Sequence, residues 1–223
     1  MKRTLSILSA LVLLALGGTY LAQKPADSLL ATPALAQDAD TDADVELLPD
    51  LVLGDADAPV TVIEYASYTC PHCREFHEGQ FQQLKAEYID TGKVAFIMRE
   101  FYRNYVDVEA AQIARCGGDM RFYGISGLVY EKQEDWIGGG ENEEILANLR
   151  KLGKTAGLTD DQIDACFADQ DMAKRMIVTF QKYAGEDGIQ GTPTLKIDGK
   201  IYSNMSYDKM KEIIDAALAA KEG

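Results

Sequence analysis

The period of the hydrophobic and polar positions changes several times along this chain. A continuous, β-branched apolar run at residues 60–65 predicts a central strand that is buried on both faces. A helix is predicted at about 70–90, with its apolar residues at helical spacing and Gly79 at a bend. Residues 94–101 predict a second strand. These segments indicate that the first half of the chain alternates strand and helix.

The second half of the chain is mainly helical. From about 108 to 183 the apolar positions follow the helical period, and Thr159 and Gln162 have the spacing of a capping box. Two short strands are predicted at 194–197 and 200–202, joined by a type I′ hairpin turn of composition Asp-Gly. An amphipathic helix follows at about 207–220. The order of elements predicts an α/β fold with an inserted helical block.

The N-terminal residues have the organisation of a secretory signal. Lys2 and Arg3 precede an apolar run, and the Ala-Leu-Ala sequence ending at Ala36 is typical of a cleavage site, so residues 1–36 are predicted to be a signal peptide. The apolar stretch at 5–22, roughly 18 residues, is also long enough to remain as an uncleaved membrane anchor. In either case the body of the protein is expected outside the cytoplasm, in the periplasm.

Acidic residues at alternate positions characterise the next segment. Like charges at every second position cannot form a core face, so residues 37–57 are predicted to be an acidic linker. A calcium site is an alternative, but the spacing lacks the glycine and the distal glutamate of a known loop. The domain borders predicted beyond the linker are 58–105 and 187–223 for the two parts of the α/β domain and 106–186 for the helical insertion.

Composition limits the classes of partner. The net charge of −14 argues against nucleic acid and against anionic lipid surfaces as main partners. A chain of 223 residues can bury one sizeable core, with or without an inserted subdomain. Four cysteines suit two redox pairs in an oxidising compartment, although a cytosolic metal protein could have the same number.

The motif Cys70-Pro71-His72-Cys73 carries the candidate chemistry. It follows the predicted central strand and opens the predicted helix, where unpaired N–H groups and the helix dipole stabilise a thiolate. Cys70 is therefore a candidate nucleophile, and Cys73 is placed to resolve a mixed disulfide. A lone C-x-x-C also matches half a zinc site, but the strand-then-helix context favours dithiol-disulfide exchange.

These residues also carry a resemblance to a known family. The sequence at 60–73, VTVIEYASYTCPHC, resembles the catalytic segment of the DsbA-type periplasmic thiol-disulfide oxidoreductases, and Gly-Thr-Pro-Thr at 191–194 resembles their cis-proline loop. The resemblance implies a thioredoxin fold with an inserted α-helical subdomain and no cofactor. It also implies that Cys70 attacks, that Cys73 resolves, and that Thr192-Pro193 faces them.

Two further residues match roles in this chemistry. A donor or positive charge at His72 would stabilise the Cys70 thiolate and make the disulfide a stronger oxidant, unless His72 is an exposed turn residue without effect. Glu64 matches the family's buried carboxylate, which can relay the proton of Cys73. The alternative for Glu64 is a strand-end side chain that reaches solvent.

The Thr192-Pro193 loop is the predicted substrate-binding element. A cis bond would turn the Thr192 backbone toward the cysteines, where it could pair with an extended substrate as an added strand. An ordinary trans proline in a loop is the alternative. The best-known family member has valine before this proline, whereas threonine occurs in reducing and isomerising relatives. The resemblance therefore leaves the direction of electron flow open.

The remaining histidine and cysteines allow other interpretations. Cys70, His72, Cys73 and His77 could be drawn as a zinc or copper site, but the second cysteine should point inward and position 72 outward. We therefore expect no metal, and His77 at the surface or in a substrate groove. Cys116 and Cys166 fall in two predicted helices of the insertion and are expected to form a structural disulfide, which would stabilise by roughly 4 kcal/mol, rather than a second redox pair.

These observations lead to one main hypothesis. The chain is expected to be an exported oxidase, a monomer that donates its Cys70-Cys73 disulfide to folding exported proteins with thiols and is reset by a membrane redox partner. A disulfide isomerase or reductase is the first alternative, although such enzymes usually dimerise through an N-terminal module and residues 37–57 are too short and too charged for one. A metal-binding chaperone that uses the Cys/His cluster is the alternative from a different class.

Overall fold

The computed structural model describes residues 44–222. The predicted signal peptide or anchor at 1–36 lies outside the described residues, as do residues 37–43 of the predicted acidic linker and most of the calcium-site alternative. Among the described residues, no helix combines the length and the apolar character that crossing a membrane requires.

The described residues form a mixed sheet of five strands. The strands are β1 (Val52–Leu53), β2 (Val60–Ala66), β3 (Val94–Glu100), β4 (Thr194–Ile197) and β5 (Lys200–Ser203). Their order across the sheet is β1-β3-β2-β4-β5, in which β2 and β3 are parallel and the other pairs are antiparallel. The predicted central strand is therefore confirmed, since β2 has a neighbour on each side and buried residues on both faces.

Helices cover the sheet and fill the insertion. They are α1 (Pro71–Glu78), α2 (Gln80–Leu84), α3 (Tyr105–Cys116), α4 (Phe122–Glu131), α5 (Gln133–Ile137), α6 (Asn142–Thr155), α7 (Asp160–Ala168), α8 (Gln170–Glu186) and α9 (Tyr207–Glu222), with a π-helical turn at Lys85–Ile89 after α2. Helices α3 to α8 lie between β3 and β4 in the chain. The predicted α/β thioredoxin fold with an inserted α-helical subdomain is confirmed.

Local sequence chemistry explains where several elements begin and end. The predicted bend at Gly79 is present, and it separates α1 from α2. At the start of α7 the Gln162 N–H donates to the Thr159 hydroxyl and the Thr159 N–H donates to the Gln162 side chain, which is the predicted capping box. Asp198 and Gly199 both have positive φ, as a type I′ turn requires.

The predicted acidic linker is wrong from about residue 48 onward. Leu48 is buried, and its N–H donates to the Thr179 hydroxyl of α8 at 2.9 Å. Asp50 forms a two-point ion pair with Arg99 of β3, and β1 then pairs with the edge of β3. Apolar residues such as Leu48 lie among the alternating acids, and the free energy gained by burying them outweighs the repulsion between the carboxylates.

Candidate active site

The two cysteines of the motif lie where β2 passes into α1. Cys70 is the residue that precedes the helix, Pro71 is its first residue, and Cys73 lies in its first turn. Proline is favoured there because the first helical N–H has no intrahelical partner. Both thiols are free, Cys70 is almost fully buried, and Cys73 is completely buried.

The two thiols have opposite acidities. A hydrogen bond from the Cys73 thiol is the largest influence on Cys70 and, with the Thr192 side chain and the N–H groups of Cys73 and His72, lowers the Cys70 pKa to about 5 despite burial. Burial raises the pKa of Cys73 far above its ordinary value, and the hydrogen bond to Cys70 and the charge of Glu64 raise it further. At neutral pH the site therefore holds one thiolate and one thiol.

The loop before β4 faces the nucleophile. The Thr192-Pro193 peptide bond is cis, and the Thr192 carbonyl oxygen lies 3.4 Å from the Cys70 Sγ atom. The sheet explains this approach, because β4 runs antiparallel to β2 with Thr194 opposite Tyr65. The start of β4 therefore meets the end of β2, from which the chain continues to Cys70. The structure thus brings the predicted substrate-binding loop to the predicted nucleophile.

The His72 side chain is exposed to solvent and pairs with Glu75. Its Nδ1 atom lies 2.9 Å from a carboxylate oxygen of Glu75, and this contact raises the pKa of the exposed imidazole. Among the influences on the Cys70 pKa, His72 acts through its backbone N–H. An action of the imidazole itself on the thiolate stays a prediction.

Glu64 and His77 form a buried pair beneath the cysteines. Glu64 is fully buried, and its Oε2 atom lies 2.8 Å from His77 Nε2. The expectation that His77 lies at the surface is wrong, because only 6% of it is exposed. A place in a substrate groove, the other part of that expectation, stays a prediction. Residues 73, 76 and 77 have the i, i+3, i+4 spacing of one helix face, and this face of α1 packs into the core.

Asp107 is a site residue that sequence reasoning missed. It is fully buried in the first turn of α3, where its carboxylate accepts hydrogen bonds from the Ser67 hydroxyl at 2.9 Å and the Thr69 N–H at 2.8 Å. It also accepts from the Arg103 N–H at 2.9 Å. Asp107 therefore fixes the loop that leads into Cys70.

Gln133 of α5 contacts the same loop and was also missed. Its buried side-chain amide donates to the carbonyl oxygens of Tyr68 at 2.7 Å and Cys70 at 3.0 Å. Nothing in the local sequence distinguishes Gln133 from a surface residue of α5. The only available indication for Asp107 was its position three residues after Asn104, the residue that caps α3.

The outer cysteines form a disulfide away from the site. Cys116 at the end of α3 is bonded to Cys166 in α7. Nine helical steps, about 14 Å, separate Cys116 from the Asp107 end of α3 that contacts the active-site loop. No cluster of three or more His, Cys, Asp or Glu residues that could hold a metal ion occurs in the part of the chain that the structure describes.

Comparisons with known proteins agree with this geometry. A family model described as thioredoxin matches residues 46–216. A putative protein-disulfide oxidoreductase of Rickettsia typhi is 33% identical over 170 residues, which are 76% of this chain and 62% of that protein. The chain therefore spans less than two thirds of the length of this relative.

Two solved structures are similar over nearly their whole length. The crystal structure of Wolbachia pipientis alpha-DsbA1 has a TM-score of 0.70 and 27% identity, with coverage of 79% of this chain and 94% of that one. The structure of a protein-disulfide isomerase from Novosphingobium aromaticivorans has a TM-score of 0.67 and 25% identity, with coverage of 77% and 99%.

Proposed function

Since this chain belongs to the thioredoxin family, in its DsbA-like branch, we propose that it is a thiol-disulfide oxidoreductase whose exchanging sulfurs are Cys70 and Cys73. More specifically, we propose that it is an exported oxidase that donates this disulfide to folding proteins. The observation that carries the proposal is the opposite acidity of the two thiols, with the Cys70 pKa lowered to about 5 and that of Cys73 raised.

The exchange balances as two successive displacements. A substrate thiolate attacks Cys70 Sγ, so that a substrate-Cys70 disulfide forms and Cys73 leaves with the electron pair and takes up a proton. A second substrate thiolate then attacks the substrate sulfur of this mixed disulfide and expels Cys70 as a thiolate. The substrate loses two electrons and gains a disulfide. A Cys70 pKa of about 5 makes Cys70 a good leaving group in the second step.

The same acidity favours the oxidase over a reductase. A stabilised Cys70 thiolate stabilises the reduced protein, and whatever stabilises the reduced form makes the disulfide a stronger oxidant. The Thr192 carbonyl beside Cys70 gives an extended substrate a backbone acceptor next to the reacting sulfur. Pro71 supports the role of Cys70 by starting the helix directly after it.

The direct test mixes the oxidised protein with a reduced, unfolded protein that contains two cysteines. The expected result is transfer of one disulfide per molecule of oxidised protein, with loss of the Cys70-Cys73 disulfide. Reduced Cys73→Ser, mixed with a substrate that already carries a disulfide, should accumulate the substrate-Cys70 mixed disulfide, because Cys70 attacks and no Cys73 thiol resolves it. Cys70→Ser should transfer nothing. A protein that binds zinc tightly through these cysteines and transfers no disulfide would instead be a metal-binding chaperone.

A disulfide isomerase is the second candidate function. It is favoured by threonine at position 192 and by the likeness to a protein titled a protein-disulfide isomerase. A scrambled substrate with wrong disulfides separates the two functions. An isomerase in its reduced form restores activity to this substrate faster than an oxidase of the same family, which acts faster on the fully reduced substrate.

The N-terminal sequence and the outer disulfide support the proposed location. A secretory signal at 1–36 would deliver the protein to the periplasm, and a disulfide such as Cys116-Cys166 persists in an oxidising compartment. The substrates would be exported proteins with free thiols, and a membrane redox partner would reset Cys70-Cys73 in a monomeric enzyme. Fractionation of cells that express the full chain tests the location, and the redox state of Cys70 in those cells tests the resetting.

A further inference from the structure

Glu64 and His77 form an isolated ionisable pair inside the protein. Glu64 is paired across β2 with Met98 of β3 and Leu195 of β4, so neither neighbouring strand gives it a charged partner. His77 Nε2 is its hydrogen-bond partner, and the second carboxyl oxygen, Oε1, has no partner among the described residues. Cys73 and His77 lie one helical turn apart on the buried face of α1, and His77 contacts Glu64, so the three groups occupy one part of the core. The charge of Glu64 also raises the pKa of Cys73.

The proton of Cys73 has no direct contact with solvent. Cys73 and Glu64 are both completely buried. Yet the proposed exchange requires that Cys73 gain a proton when its disulfide breaks and lose one when it attacks. A thiol with a strongly raised pKa does not remain a free thiolate. Each turnover must therefore move a proton between Cys73 and solvent through buried groups.

His77 connects buried Glu64 to an open groove. The groove has a volume of about 840 Å³ and is bordered by α1, α2 and α4. His77 contributes to its wall together with Phe81, Tyr123, Leu128 and Tyr130. The second ring nitrogen, Nδ1, makes no hydrogen bond with any residue that the structure describes. One nitrogen of His77 thus contacts Glu64 while the ring borders solvent-accessible space.

Most of the side chains that contact the His77 ring cannot exchange a proton with it. Its ring stacks on Tyr130 with centroids 4.1 Å apart and touches Phe81 at 4.8 Å and Phe76 at 5.7 Å. Burial raises the pKa of Tyr130 well above its ordinary value, so this phenol keeps its proton. The charged side chains in the same wall are Glu78, Lys85 and Glu131.

We propose that His77 is a proton-transfer residue that carries the proton of Cys73 between Glu64 and the groove. This inference rests on the proposed exchange at Cys70 and Cys73. When the disulfide breaks, the Cys73 sulfur leaves with the electron pair, and the proton that it takes up passes from His77 Nε2 through the Glu64 carboxylate to the sulfur. His77 Nδ1 then takes a proton from water in the groove. When Cys73 attacks a mixed disulfide at Cys70, each transfer runs in reverse.

The test follows the two thiols separately in a single turnover. Reduced protein is mixed with the chromogenic disulfide of nitrothiobenzoate. Cys70 attacks first and releases one coloured thiolate, and Cys73 then attacks the mixed disulfide at Cys70 and releases a second. The first phase reports the proposed nucleophile, and the second phase reports deprotonation of Cys73.

Two variants remove the carrier in different ways. His77→Gln fills a similar volume without any ionisable nitrogen, and His77→Ala opens a space beside the groove. Both should leave the first phase unchanged and slow the second about 10²- to 10⁴-fold near neutral pH, the range expected when a positioned proton carrier is lost. Added imidazole should restore the second phase of His77→Ala and not that of His77→Gln.

Phe81→Leu is the matched control, because it removes a ring contact of His77 and keeps the imidazole. Its second phase should be close to that of the unchanged protein. A normal second phase in both His77 variants would overturn the proposal, as would a loss in His77→Ala that Phe81→Leu reproduces and imidazole does not restore. Absence of the first phase in the unchanged protein would refute the proposed function instead.

Discussion

The Cys70 Sγ atom lies 3.4 Å from the carbonyl oxygen of Thr192, a residue 122 positions later in the chain. The pairing of β2 with β4 creates this contact by placing the start of one strand beside the end of the other. The Thr192 side chain also helps to lower the pKa of Cys70. The loop proposed to bind substrate therefore contributes to the acidity of the proposed nucleophile.

Thr192→Val should raise the Cys70 pKa and lower the reduction potential of Cys70-Cys73 together. Valine has nearly the shape of threonine but cannot donate a hydrogen bond to the thiolate. The pKa is measured from the ultraviolet absorbance of the thiolate, and the potential from equilibration with glutathione. Thr194→Val is the control, since the Thr194 hydroxyl donates to the Gly191 carbonyl and not to the cysteine. A lower Cys70 pKa in Thr192→Val would contradict the assignment.

Alkylation of the reduced protein should label Cys70 much faster than Cys73. At about pH 6 a thiol with a pKa of about 5 is mostly thiolate, while the buried Cys73 remains a thiol. Mass spectrometry after brief exposure to iodoacetamide measures the two sites separately. Equal labelling of both cysteines would show that the acidities are not separated.

The reduced protein should become more stable relative to the oxidised protein as the pH rises from about 5 to about 9. In this range the unfolded chain holds a proton on Cys70 that the folded protein has released, so stability rises with pH and is lost as the pH falls through the folded pKa of about 5. Cys73 keeps its proton in both states through most of this window.

Urea unfolding of both forms at about pH 5 and about pH 8, with Cys116-Cys166 intact, measures this difference. The oxidised form lacks the Cys70 titration and serves as the internal reference. If the oxidised form is clearly the more stable at the higher pH, the oxidase proposal fails and the reductase alternative replaces it.

Asp107→Asn should destabilise the protein by about 1–3 kcal/mol. The Asp107 carboxylate accepts hydrogen bonds from three donors, and the NH2 group of asparagine cannot accept a hydrogen bond from any of them. The loop before Cys70 should also lose its fixed geometry, which would slow the first phase of the exchange. Chemical denaturation and the single-turnover assay measure the two effects. Asp208→Asn, at an exposed position, is the control. Equal stability of the two variants would mean that Asp107 does not organise the loop.

Replacing both Cys116 and Cys166 by alanine should lower stability by up to roughly 4 kcal/mol while the exchange rate per folded molecule stays nearly unchanged. The disulfide lies at the end of α3 that is remote from the active-site loop. Thermal unfolding and the disulfide-transfer assay give the two quantities. Loss of transfer with unchanged stability would instead identify a second redox pair.

Local patterns predicted most of the elements and the place of Cys70 and Cys73 at the start of α1, because neighbouring residues determine where a strand ends and a helix begins. The spacing of Cys73 and His77 also indicates that His77 faces the core, although a surface position was expected for this histidine. Leu48 was likewise predicted to lie in a solvated linker, because acidic residues surround it in the sequence. Asp107 and Gln133 could not be found from the sequence, since each acts on a loop that is distant along the chain and only the folded insertion brings them there.

The sheet ends in short strands on both sides. At one edge β1 has two residues, and at the other β5 has four and begins with an exposed lysine. A long, flat edge strand would present unpaired N–H and C=O groups with which any extended chain could form a lasting strand pair. An enzyme whose proposed clients are unfolded chains meets such segments at every encounter. Its short edge strands would limit such pairing, so that a client strand bound at the Thr192 loop under the proposed function could leave after the disulfide exchange without seeding an aggregate.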